Sequence, residues 1–220
     1  MRELPAGDDA VVLDFSATSD PAAAALTAAH RLRAAAAAGE LAVGDVVPTA
    51  HAVLVQAEPG TGLDVLAVRR VLHRPHPAPV GTGAGDGRET QIPVHYDGAD
   101  LRAVADHAGL TPQDVIDAHT AVSWRVQFMG FAPGFGYLVP ESGPAQARAV
   151  FTALGRRAQS RPAVPPGAVA AAAGYSAVYP RTSPGGWFLL GHTDIEMWNV
   201  ADEPPARLSA GDVVRFTCVD

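Results

Sequence analysis

The hydrophobic positions of the first seventy residues alternate between strand-like runs and helix-like stretches. Ala10 to Phe15 (AVVLDF) is a continuous apolar run of strand length. Asp20 and Pro21 then supply an N-cap and a first-turn proline, and Gly39 stops the alanine-rich stretch that follows, so a helix is predicted between them. Val46 to Val47 and Ala52 to Gln56 read as further strands, and Thr61 with Asp64 forms a capping-box signal for a helix through about Leu72. The order β-α-β-β-α predicts a compact α+β sandwich of the split βαβ kind over residues 1–74.

The pattern then breaks. Residues 75–89 are dense in proline and glycine and predict a linker. Beyond it, Thr90 to Tyr96 reads as a strand, and Asp100 to Gly109 and Thr111 to Thr120 as two short capped helices, the second started by Thr111, Pro112 and Asp114. Short β-type runs follow at Trp124 to Met129, Ala149 to Leu154, Ala168 to Ala173, Ala177 to Tyr179, Trp187 to Leu190 and Asp212 to Cys218. Many short strands with one helical insert predict a β-barrel domain over residues 90–220.

Two segments stand apart from this periodicity. WRVQFMGFAPGFGYL (Trp124 to Leu138) begins as a strand and passes into Gly130, Pro133, Gly134 and Gly136, a spacing that permits turns and close approaches that a Cβ would hinder. YPRTSPGGWFLLGHT (Tyr179 to Thr193) has the same character. Together they predict opposite lips of one cleft with open backbone amides, a site for a small molecule.

Composition narrows the chemistry. The 220 residues are 48% hydrophobic, ample for a core without disulfide or metal staples. A single cysteine, Cys218, and the absence of a leader-like start point to the cytoplasm. No apolar run approaches the roughly 18–20 residues of a membrane helix. The net charge is −7 and all fixed cations are arginines, scattered along the chain, which argues against nucleic acid. The lack of lysine excludes a lysine Schiff base and a lysine-bearing phosphate loop on this chain.

Among candidate catalytic groups, His119 lies near a predicted helix C-terminus, where a protonated imidazole is favoured. It either caps that helix or faces the cleft. Arg157, Arg161 and Arg181 flank the glycine-rich turns and suit a carboxylate or phosphate clamp, since guanidinium binds such groups bidentately. Asp100 is explained by helix capping, Tyr96 by a strand position with its hydroxyl satisfied locally, and Cys218 by the core. Ser183 lacks a nucleophile-elbow context. His192 ends a strand with nothing to favour function, and His73 and His76 lack a third ligand, so no metal site is expected. GTGAGDG from Gly81 does not end in Lys-Ser/Thr and reads as linker.

GDDAVVLDF, HYDGADL, GLTPQDVIDAH, FMGFAPGFGYL, RPAVPPGAV, YPRTSPGGWFLLGHT and LSAGDVVRF, taken in order, resemble the carboxyltransferase C/D-subdomain family, which includes the B-type subunit of 5-oxoprolinase, allophanate hydrolase subunit 1 and the Kip sporulation-kinase inhibitor. The resemblance implies a small N-terminal α+β domain and a cyclophilin-like β-barrel. It further implies a protein that pairs with a homologous C-type subunit, and with an A-type subunit, to open 5-oxoproline to glutamate with ATP and its Mg counter-ion. The alternatives it carries are a urea carboxylase or allophanate-type subunit, with no biotin on this chain, and a kinase-inhibiting module. Phe131, Pro133, Gly134, Tyr137, Pro184, Gly185 and Gly186 match the family's cleft motifs, as does His119. The chain departs from the pattern at Asp9 (usually arginine), Ala132 (threonine), Gly136 (proline) and GYSAV, where Ser176 retains a hydroxyl.

Overall fold

The computed structural model describes residues 1–74 and 87–219. The chain divides into two compact units, Met1–Asp86 and Gly87–Asp220. Most of the predicted linker lies outside the described residues.

The first unit has the order β1 (Arg2–Pro5), β2 (Ala10–Asp14), α1 (Pro21–Ala37), β3 (Asp45–Pro48), β4 (Ala52–Gln56) and α2 (Val65–His73). Its sheet runs β1-β2-β4-β3 with every neighbour antiparallel, so β4 is inserted between β2 and β3, the two strands that α1 joins. That is the split βαβ arrangement. Helix α1 begins where Asp20 accepts from the Ala23 amide, and it buries Ala25, Ala28, Ala29, Leu32 and Ala35, a spacing of three and four, against Leu13, Val53 and Val55 of the sheet. The start of α2 differs from the prediction. Asp64 caps it, accepting from the Ala67 amide, and the Thr61 hydroxyl donates instead to Glu58 O. Thr61 lies in a loop whose Gly60 and Gly62 amides both donate to the Asp9 carboxylate at 2.8 Å, which gives Asp9 a structural use in place of the family's arginine.

The second unit contains β5 (Glu89–Val94), α3 (Leu101–Ala108), α4 (Pro112–Ala121), β6 (Ser123–Met129), β7 (Gly136–Ser142), α5 (Ala145–Thr152), β8 (Arg161–Val164), β9 (Ala168–Ala172), β10 (Tyr175–Val178), β11 (Ser183–Gly185), β12 (Phe188–His192) and β13 (Val213–Cys218). Seven strands form one sheet in the order β12-β9-β10-β7-β6-β13-β5. Just beyond β5, His95 exchanges both backbone hydrogen bonds with His192 at the end of β12, so the two edges meet and the sheet nearly closes into a barrel. The Thr111–Asp114 capping box starts α4 as predicted. Ala149 to Leu154 is helical rather than extended: alanine-rich α5 puts Ala147 and Phe151 on one face at a spacing of four and buries both.

Alternation along the strands builds two cores on opposite faces of the barrel wall. Val169, Ala171, Val178 and Leu138 face inward with Trp124, Phe216 and the apolar sides of α3 to α5. Ala168, Ala170, Ala172 and Ala177 face outward, beneath Phe135, Tyr179 and Trp187. These alanines are small enough for large rings to lie over the wall. The β9–β10 turn has Ala173 at φ 51° and Gly174 at φ 83°, as a two-residue primed hairpin requires. Cys218, expected in the core, is exposed because β13 runs past the inner packing of Val214 and Phe216. Among the described residues no helix is long and apolar enough to cross a membrane.

Candidate functional site

The outward core ends in a surface depression of about 50 Å³. Phe131, Phe135 and Tyr137 of the first glycine-rich segment form one side of it; Tyr179, Pro184, Gly185 and Trp187 of the second form the other; Arg156 completes the lining. The two segments therefore meet around one depression. The rings pack edge to face, Phe135 against Tyr179 at 5.2 Å and Tyr137 against Trp187 at 5.7 Å, and Phe128 stacks on Tyr137 at 4.3 Å. Partial burial raises the pKa of Tyr137 and of Tyr179, while the positive charge of Arg156 acts on both in the opposite direction. Both phenols keep their protons at neutral pH.

Glycine is needed where the walls come together. A Cβ on Gly185 would lie 2.3 Å from the Tyr179 hydroxyl, so only glycine lets that ring pass beneath β11. The opposite lip is strained at a residue that is not glycine. Phe131 sits at φ 67° in a three-residue turn closed by the Ala132 amide on Gly130 O at 2.7 Å, with its side chain 55% exposed.

The remaining predicted residues occupy other places. Gly134, at φ 80°, is buried against Met197 and Trp198, and Pro133 is exposed on the loop. Gly186 accepts from the Arg157 amide at 2.9 Å. Arg161 and Arg157 turn to Asp100 at 2.8 and 3.7 Å. Arg181 is exposed and takes no part in the lining. Asp100 is at the N-cap of α3 but makes no capping bond, contrary to expectation; its second oxygen accepts from the Leu189 amide at 2.8 Å. The carboxylate has two guanidinium partners and an amide of β12, and they outcompete its own helix. Asp100 thereby ties α3, β8, β12 and the segment carrying Arg156 together.

His119 does not face the cleft. It is fully buried inside the barrel, stacked on Phe216 at 4.3 Å. Nδ1 is 2.8 Å from the Tyr96 hydroxyl, and Nε2 is 2.9 Å from Ser176 Oγ. Because the Ser176 proton goes to Ala170 O at 3.2 Å, proton counting assigns the rest: Nε2–H donates to Ser176, and Tyr96 O–H donates to Nδ1. Burial lowers the His119 pKa to about 3, so the imidazole is neutral rather than a helix-terminal cation. Ser176 is likewise inside, one strand position from outward-facing Tyr175 and Ala177. Neither side chain reaches the depression.

Phe135, Tyr179, Trp187 and Arg156 line the site without having been singled out by the sequence pattern. Trp187 ends SPGGW and Arg156 adjoins Arg157, so both lie within one residue of a candidate. Strand parity and loop path decide which neighbour faces the site.

The nearly closed seven-strand barrel with its helices is the fold of a carboxyltransferase-type domain. The chain belongs to the family described as carboxyltransferase domain, subdomain C and D, whose pattern matches residues 1–208. It is similar to the B-type subunit of 5-oxoprolinase from Escherichia coli O157:H7, at 42% identity over 134 residues, 60% of this chain and 58% of that protein. The chain thus spans little more than half of that relative's length. The crystal structure of TTHA0988 superposes with a TM-score of 0.75 at 31% identity, covering 96% of this chain and 40% of that one. The urea amidolyase of Kluyveromyces lactis shares the fold, with a TM-score of 0.68 at 16% identity, over 99% of this chain and 15% of that one.

Proposed function

We propose that this chain is the B-type subunit of a cytoplasmic, ATP-dependent 5-oxoprolinase and supplies one wall of an active site completed by a homologous C-type subunit, with an A-type subunit taking part in the assembly. The observation that carries this reading is the 42% identity to a B-type subunit of 5-oxoprolinase. The depression supports it. It is open and about 50 Å³, against roughly 300–1,000 Å³ for sites that enclose a drug-sized ligand, so a second surface is needed to cover a substrate.

The same size bears on the nucleotide. The depression does not accommodate ATP, so the nucleotide and its Mg bind outside it, and on this chain their phosphates would be met by arginine or backbone amides rather than by a lysine-bearing loop. What this chain's residues do is hold the substrate. The rings of Phe131, Tyr137 and Trp187 shield one side of a small planar lactam from water, and Pro184 and Gly185 set the floor. Arg157, Arg161 and Gly186 hold the surrounding backbone, while His119 and Ser176 keep the wall behind it in register.

Co-expression with the C-type and A-type subunits, followed by an assay for glutamate released from 5-oxoproline, tests the reading. ATP-dependent turnover that requires all three chains is expected. Stable assembly without turnover on 5-oxoproline would overturn it and move attention to urea-like amides, and inhibition of a histidine kinase by the chain alone would replace the enzyme reading with a binding one.

A further inference from the structure

The cation beside the depression is left without a partner. Arg156, Arg157 and Arg161 lie within six residues, and a single carboxylate, Asp100, engages the second and third. Arg156 makes no ion pair and no side-chain hydrogen bond among the described residues, yet it lines the depression. A guanidinium without a partner keeps its planar N–H edge available, and that edge matches the two oxygens of a carboxylate or phosphoryl group. The depression has room for a group of that size and not for a nucleotide. At its rim, Phe131 holds positive φ with its ring more than half exposed, a cost that a covering ligand would offset.

We propose that Arg156 is the anion-binding residue of the depression, taking a small carboxylate- or phosphoryl-bearing ligand whose flat apolar part covers Phe131 and Trp187. The inference deepens the oxoprolinase reading, on which the choice of 5-oxoproline as the carboxylate rests. It also shifts the clamp expected from Arg157, Arg161 and Arg181: the first two turn to Asp100, each with a buried Nη1 left without a partner, and the third lies outside the lining.

The test is titration of the purified chain, followed by calorimetry and by tryptophan fluorescence, with 5-oxoproline, with 2-pyrrolidinone as its carboxylate-free counterpart, and with inorganic phosphate. Saturable binding of 5-oxoproline is expected, with 2-pyrrolidinone weaker by about tenfold or more, the scale of a charge-assisted pair. Arg156→Ala should lose that discrimination, Arg156→Lys should recover part of it, and Arg102→Ala, altering an exposed arginine of α3, should bind as the parent does. Binding of phosphate but not of 5-oxoproline, abolished by Arg156→Ala, would uphold the anion site with a phosphoryl source and count against the lactam reading alone. Equal anion binding by the parent and Arg156→Ala, or no saturable binding of either anion by the parent, would overturn the proposal.

Discussion

The barrel wall carries two clusters of polar groups among aromatic rings, one on each face, and they behave in opposite ways. Inside, Tyr96, His119 and Ser176 form a closed chain in which every proton has a named acceptor and Phe216 and Trp124 seal the imidazole. Outside, Tyr137, Tyr179 and Arg156 also stand among rings, but the depression is open and the cation is unpaired among the described residues. Ser176 and Tyr175 are adjacent in β10 and belong to different clusters. Satisfied polar groups in a dry core specify packing; unsatisfied ones at a rimmed surface are available to a ligand.

The largest effect should come from breaking the inner cluster. His119→Ala removes a fully buried ring and strands two hydroxyls, so a loss of about 3–5 kcal/mol is expected in urea unfolding. His119→Gln, better tolerated, should leave the turnover of the proposed three-subunit assembly within a few-fold. A fall of roughly 10²–10⁴ with stability intact would instead make His119 an acid–base catalyst and erase the distinction between the faces.

The same residue sets a pH dependence. Its folded pKa of about 3 lies below the ordinary histidine value, so between about pH 6.5 and 3 the unfolded chain binds one proton more than the folded one. Stability should therefore fall as the pH drops through that window, by about 1.4 kcal/mol per unit from this group, and above pH 7 this group should add no pH dependence. His119→Gln should flatten the slope by one proton. An unchanged slope would mean that the imidazole is not sealed.

Asp100 comes next, because it braces the outer site from behind. Asp100→Ala leaves two guanidinium groups and the Leu189 amide without their acceptor; with the arginine side chains 26% and 23% exposed, about 2–3 kcal/mol is expected in thermal or chemical unfolding. A change below about 0.5 kcal/mol would show Asp100 to be an ordinary surface residue.

The smallest change in stability, and the sharpest contrast, belongs to Phe131. Phe131→Gly relieves a side chain held at φ 67° and should raise stability by up to about 1 kcal/mol while weakening binding of 5-oxoproline about tenfold. Loss of stability with binding intact would place the ring among packing residues.

Much of the fold was readable in advance. Strand-length apolar runs, Asp20 before Pro21 and the Thr111–Asp114 box are local signals, and the elements they start are present. The misread elements share a cause. Ala149 to Leu154 has no strong local preference, so the packing of Phe151 decided for helix, and the short β8 and β11 contain prolines that mask a strand pattern. Alanine shows the same limit: residues that resembled compositional bias form the floor beneath Phe135, Tyr179 and Trp187.

The sequence alone determined where the backbone could turn sharply and be approached closely, because glycine admits conformations and contacts that a Cβ forbids and proline holds φ, whereas the meeting of the two segments is tertiary. It also set the chemical limits, since a chain without lysine must meet an anion with arginine or backbone amides. Only the tertiary structure decided which side of the wall each polar residue faces. That choice depends on strand register and on the partner within reach of each side chain: Ser176 and His119 pair with each other inside the barrel, Arg157 and Arg161 turn to Asp100, and exposed Arg156 lines the depression with no ion pair among the described residues.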